Sequence, residues 1–62
     1  MNVGKRIREL RNKGGMTQKE LAEKADISTS YLCDIEVGRT NPSLRTLERI
    51  SKAFGITMKE MV

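Results

Sequence analysis

Apolar residues recur along the chain at intervals of three and four, and short polar clusters separate one run from the next. Val3, Ile7 and Leu10 form the first run and predict a helix over about Val3 to Asn12. Gly14 and Gly15 end it, at least one of them at positive φ. Thr17 is suited to cap a second helix, because Glu20 three residues later completes a capping box and Met16 and Leu21 form a hydrophobic staple. Leu21, Ala22 and Ala25 give this helix its apolar face, and it stops near Ala25 or Asp26. Ser28 caps a third helix, with Ile27 and Leu32 as its staple, and Gly38 stops it. So few residues separate the second and third helices that the two must cross steeply.

Ser43 caps a fourth helix, on which Leu44, Leu47, Ile50 and Phe54 read as a continuous apolar stripe across the back of the core. Gly55 ends it. Thr57 with Glu60, and Ile56 with Met61, repeat the box and staple and start a fifth helix that has barely a turn to run. Its Met58, Met61 and Val62 either cover the core, the preferred reading, or supply part of a subunit contact. Runs of β-branched residues are missing. The expectation is an all-α chain of five short helices forming one domain over residues 1–62.

Composition narrows the picture. An apolar fraction of 37% in 62 residues supplies one small core and no second one. With one cysteine there is no intrachain disulfide, so helix packing alone must hold the fold, and a lone Cys33 fits a reducing cytoplasm. With no histidine and one cysteine, a structural zinc is not expected, nor any other cofactor. No apolar run approaches a membrane span. Lys5, Arg6, Arg8, Arg11 and Lys13, against Glu9 alone, carry the whole net charge of +4, while the rest of the chain balances. That positive end either steers the domain toward a polyanion or simply keeps it soluble.

Four features bear on chemistry. On the third helix Leu32 and Ile35 point inward, whereas Ser30, Cys33 and Asp34 point roughly the other way, with Thr29 beside them. Such a face suits a DNA major groove, and it also suits an ordinary surface helix. Arg11 and Glu36 each flank an apolar stripe, and a bidentate pair between them resolves both oddities; two separately snorkelling side chains are the alternative. The glycine pair is followed by no GKS or GKT and preceded by no strand, so no nucleotide loop is read there. In the polar connection Arg39-Thr40-Asn41-Pro42, Arg39 is placed to meet a phosphate if the helix before it meets DNA.

The stretches IRELR (residues 7–11), GMTQKELAEKADIS (15–28), YLCDIEVGRTNPS (31–43) and LERISKAFGI (47–56), in this order and spacing, resemble the lambda repressor-like, or Cro/C1-type, helix-turn-helix family. The resemblance covers almost the whole chain and is closest to bacterial and phage repressors. It implies a five-helix fold whose second and third helices form the DNA-reading unit. It implies base contacts from Thr29, Ser30, Cys33 and Asp34. Backbone contacts would come from Thr17, Gln18, Tyr31, Arg39, Thr40 and Asn41, with the amides at the start of the second helix helping to hold the phosphate. The Arg11–Glu36 pair is also a family feature.

Three departures from the family pattern stand out. The turn residue, often glycine, is Asp26, which tolerates a left-handed conformation. Cys33 replaces a frequent serine, either neutrally or as a redox switch. From Ser28 to Val37 there is no Lys or Arg and there are two acids, so reading must rest on small hydroxyls, packing and water.

The resulting expectation is a non-enzymatic, cytoplasmic (bacterial, nucleoid-associated when bound) regulator of transcription. It would bind double-stranded DNA as a homodimer on an inverted repeat, associating through the fourth and fifth helices, with a further protein partner also open. An antitoxin, or an adaptor that binds protein alone, is the alternative. An enzyme is rejected, because no histidine exists and the acids do not gather into a recognisable pair.

Overall fold

Side-chain hydroxyls start four of the helices in the computed structural model, which describes residues 3–61. The elements are α1 (Val3–Lys13), α2 (Gln18–Ala25), α3 (Thr29–Val37), α4 (Leu44–Phe54) and α5 (Met58–Met61). At α2 the capping box is complete: Thr17 Oγ1 accepts from the Glu20 amide at 3.1 Å, and Glu20 Oε1 accepts from the Thr17 amide at 2.9 Å. Ser28 accepts from the Tyr31 amide at 3.0 Å and Ser43 from the Thr46 amide at 3.1 Å. At α5 Thr57 Oγ1 takes the Glu60 amide at 3.3 Å. α1 runs one residue past its predicted end, to Lys13, and of the two glycines after it Gly15 takes the positive φ.

The turn from α2 into α3 depends on Asp26. It sits at φ 57°, ψ 46°, and the chain beyond it turns back so that the Ile27 amide bonds to the Ala22 carbonyl at 3.0 Å. An aspartate therefore occupies the left-handed position that a glycine would fill without strain.

Ile7, Leu21, Ala22, Ala25, Leu32, Ile35, Ile50 and Met61 form the core, one or more from every helix. α2 packs on α3 and α4, α1 packs on α3, and α5 closes against α1 and α4. Met16, Ile27 and Ile56, the outer members of the three staples, lie half-buried against that core. Met61 is fully buried, which favours the core-covering reading of the chain's end; Val62 lies outside the described residues. Among the described residues no helix is long and apolar enough to cross a membrane.

Two details of packing differ from the expected pattern. Leu44 does not belong to the buried stripe: it is 72% exposed. Six residues at about 100° each place it roughly 120° around the helix from the fully buried Ile50, so successive steps of three drift off the packed face. Thr46 and Ser51 are buried on α4 instead, both satisfied. The Thr46 hydroxyl lies 3.0 Å from that of Ser43, and the Ser51 hydroxyl donates to the Glu48 carbonyl at 2.8 Å. The second detail is Gly4, buried inside α1. A Cβ there would collide with the Ile35 carbonyl oxygen and come within 2.9 Å of its carbon, so the glycine sets how closely α1 approaches α3.

Candidate nucleic-acid interface

A hydrogen-bonded polar cluster joins α1, the start of α2 and the end of α3. Arg11 Nε donates to Glu36 Oε2 at 2.8 Å and Arg11 Nη2 to Glu36 Oε1 at 3.0 Å, the bidentate fork expected of this pair. The Glu36 side chain is 1% exposed, which makes the pairing obligatory rather than decorative. Gln18 Nε2 also donates to Glu36 Oε1, at 3.1 Å. Arg11 Nη1 donates to the Met16 carbonyl at 2.9 Å, tying down the loop between α1 and α2. The guanidinium's hydrogen bonds to Glu36 raise its already high pKa against the opposing effect of burial, so it stays charged. The network fixes the N-terminus of α2 relative to the C-terminus of α3, the two ends a helix-turn-helix must hold in register.

On α3, Leu32, Ile35 and Glu36 are buried, Thr29 and Ser30 are exposed, and Cys33 and Asp34 are intermediate. The four residues expected to share an outward face are thus all at least partly accessible. Tyr31 is half-buried and leans on α4, its hydroxyl 3.4 Å from Thr46 Oγ1. Of the expected backbone contacts, Thr17, Arg39 and Asn41 are exposed while Gln18 and Thr40 are intermediate. The Thr17 hydroxyl already serves the Glu20 amide, and Gln18 already braces Glu36. Arg39 reaches back to Asp34, Nη1 to Oδ1 at 3.4 Å.

The geometry therefore brings together Arg11, Gln18 and Glu36, and separately Asp34 and Arg39. Sequence reasoning passed over Gly4 and Thr46. Gly4 carried a usable signal, a glycine three residues before Ile7 on the apolar face of a helix. A groove of about 410 Å³ is lined by Leu10, Met16, Phe54 and Ile56 with Lys13 and Lys24, among others, and none of its lining comes from α3. Among the described residues no group of three or more His, Cys, Asp or Glu side chains could hold a metal.

Comparison with known proteins bears on the family and the fold. The helix-turn-helix family pattern matches residues 7–61, nearly the whole described chain. The chain belongs to the Cro/C1-type helix-turn-helix family. Within it the chain is 52% identical over 62 residues to the immunity repressor protein of Bacillus phage phi105, covering 100% of this chain and 43% of that one. The fold matches the restriction-modification controller protein C.AhdI from Aeromonas hydrophila with a TM-score of 0.95 at 33% identity, over 98% of this chain and 92% of that one. It also matches SinR, the master regulator for biofilm formation, solved in complex with DNA, with a TM-score of 0.88 at 38% identity, over 95% of each chain. The chain spans about half the length of the curated relatives it matches, at 43% and 48% of the first two.

Proposed function

We propose that this domain is a sequence-specific double-stranded DNA-binding regulator of transcription, a repressor acting as a homodimer on an inverted-repeat operator in the bacterial cytoplasm. The observation that carries the reading is the outward face of α3, accessible and polar, held in register with α2 by the Arg11–Glu36–Gln18 network. Thr29, Ser30, Cys33 and Asp34 read base edges in the major groove. The Thr17 and Gln18 end of α2, Tyr31, and the connection Arg39, Thr40 and Asn41 hold the phosphates, and the basic α1 adds long-range attraction. Gln18 has a second amide hydrogen for a phosphate while the first stays with Glu36. Three relatives are named as an immunity repressor, a transcriptional regulator and a control protein, which supports regulation rather than catalysis.

So small a reading unit contacts few base pairs, and two copies supply the rest, with half-site centres about one helical turn apart. Association through α4 and α5 is supported by Leu44, a large apolar side chain left 72% exposed at the start of α4. Selection of binding sites from a random duplex library tests the proposal. A short inverted repeat is expected. No enrichment over bulk DNA at low salt and high protein concentration would overturn it and point to a protein partner.

A further inference from the structure

We propose that Arg39 is a specificity-determining positioning residue that holds the Asp34 carboxylate, so that the two side chains read DNA as one zwitterionic unit. The inference rests on the DNA-reading proposal above and assigns Arg39 more than a phosphate contact.

The backbone puts the two residues together. α3 ends at Gly38, whose φ of 85° and ψ of 14° turn the chain into the left-handed region. The Gly38 amide bonds to the Ile35 carbonyl at 3.2 Å, and the Arg39 amide to the Asp34 carbonyl at 2.9 Å. That closure folds Arg39 back over the turn that carries Asp34, and its Nη1 reaches Asp34 Oδ1 at 3.4 Å. Asp34 and Arg39 are thus joined twice, once through main chain and once through side chains.

In water the side-chain contact contributes little, since Arg39 is 76% and Asp34 43% exposed. Its consequence appears at a polyanion. From Thr29 to Val37 α3 carries no Lys or Arg, and its other acid, Glu36, is buried with Arg11. Asp34 is the accessible charge on the reading face, and duplex DNA presents about one negative charge per 1.7 Å of axis. Unpaired, this carboxylate is repelled by phosphates and free to swing away from the groove. Paired, its charge is offset and Oδ1 is held by Arg39. Oδ2 is then free to accept from a cytosine amino group. The guanidinium keeps further donors for a phosphate. Base preference at the position Asp34 faces therefore depends on Arg39, which need not touch a base.

The test is a double-mutant cycle of wild type, Asp34→Asn, Arg39→Gln and the double variant on the operator selected by the wild type. Each is measured at several salt concentrations and against operators varied one base pair at a time. Both substitutions are on the surface and leave the backbone closure intact. Arg39→Gln is expected to relax preference at the same base pair as Asp34→Asn. The two are expected to couple by about fivefold or more in Kd. In the Asp34→Asn background, Arg39→Gln should cost only the ordinary phosphate share, a salt slope lower by about one. If the two effects multiply within about twofold and Arg39→Gln weakens every operator alike, the inference is wrong and the DNA-reading proposal stands. If the wild type selects no operator, both fall.

Discussion

Removing the Arg11 guanidinium should nearly unfold the domain, and the reason lies in what it leaves behind. In Arg11→Ala, Glu36 keeps only the 3.1 Å bond from Gln18, with its side chain 1% exposed, and the Met16 carbonyl loses its 2.9 Å donor. An uncompensated buried carboxylate costs about 3–5 kcal/mol. At ~0.05–0.15 kcal/mol per residue, the whole domain is stable by about 3–9 kcal/mol. Urea unfolding followed by far-UV circular dichroism reads the difference. With a slope near 1 kcal/mol per molar for so small a chain, the midpoint should fall by about 3–5 M. A stabilising osmolyte extends the accessible range for the variant. The double variant Arg11→Met/Glu36→Leu separates charge from packing, because it removes the orphaned carboxylate together with its partner. It should recover most of the loss. A shift under about 0.5 kcal/mol for Arg11→Ala would mean that water reaches Glu36 and the pair is ornamental. A double variant as unstable as the single would refute the argument from orphaned charge.

Gly4→Ala should destabilise by more than about 1 kcal/mol although alanine favours helix, because the new methyl meets the Ile35 backbone, which cannot yield as a side chain would; a stabilised variant in urea melts would contradict the close approach of α1 and α3. Glu20 has its pKa lowered, first by the hydrogen bond from the Thr17 amide and then by that from the Thr17 hydroxyl, so its contribution to stability is present above its unfolded value near ~4.3 and is lost as pH falls through the lower folded value. The gap in thermal midpoint between wild type and Glu20→Gln should therefore narrow as the pH drops below about 4, and a constant gap would sink the assignment. Leu44→Ser should leave the thermal midpoint within about 2 °C of wild type, since the side chain is 72% exposed, while weakening self-association in sedimentation equilibrium; unchanged association would remove Leu44 from the contact.

Local rules made the helix ends legible. Thr17, Ser28 and Ser43 cap where their hydroxyls and spacing said they would, since a cap is a contact within four residues of chain and needs no tertiary knowledge. Asp26 at φ 57° was legible through the family resemblance, which marks this as a turn position where glycine is frequent. The Arg11–Glu36 pair was legible for a different reason: each charge flanked an apolar stripe, and two misfits on separate helices have few remedies other than each other. What stayed hidden depends on how helices meet. Leu44 fits a stripe on paper, but the stripe's centre is set by where α2 crosses α4, and the helical period carries Leu44 past its edge. Thr46 is buried because the Tyr31 and Ser43 hydroxyls converge on it, one from another helix and one from its own cap. The Asp34–Arg39 contact needed the left-handed Gly38, whose turn direction is visible only in three dimensions.

If the outward face of α3 chooses the DNA sequence, substitutions on that face must change which operator is preferred. Binding of wild type, Ser30→Ala and Asp34→Ala would be profiled in parallel across every single-base variant of the selected operator. Each substitution is expected to change preference at one or two defined base pairs, symmetrically in both half-sites, by about 1–3 kcal/mol per position, and to leave the others alone. Equal weakening on every duplex, with the ranking of bases unchanged, would mean that these side chains lie outside the groove and that another surface does the reading.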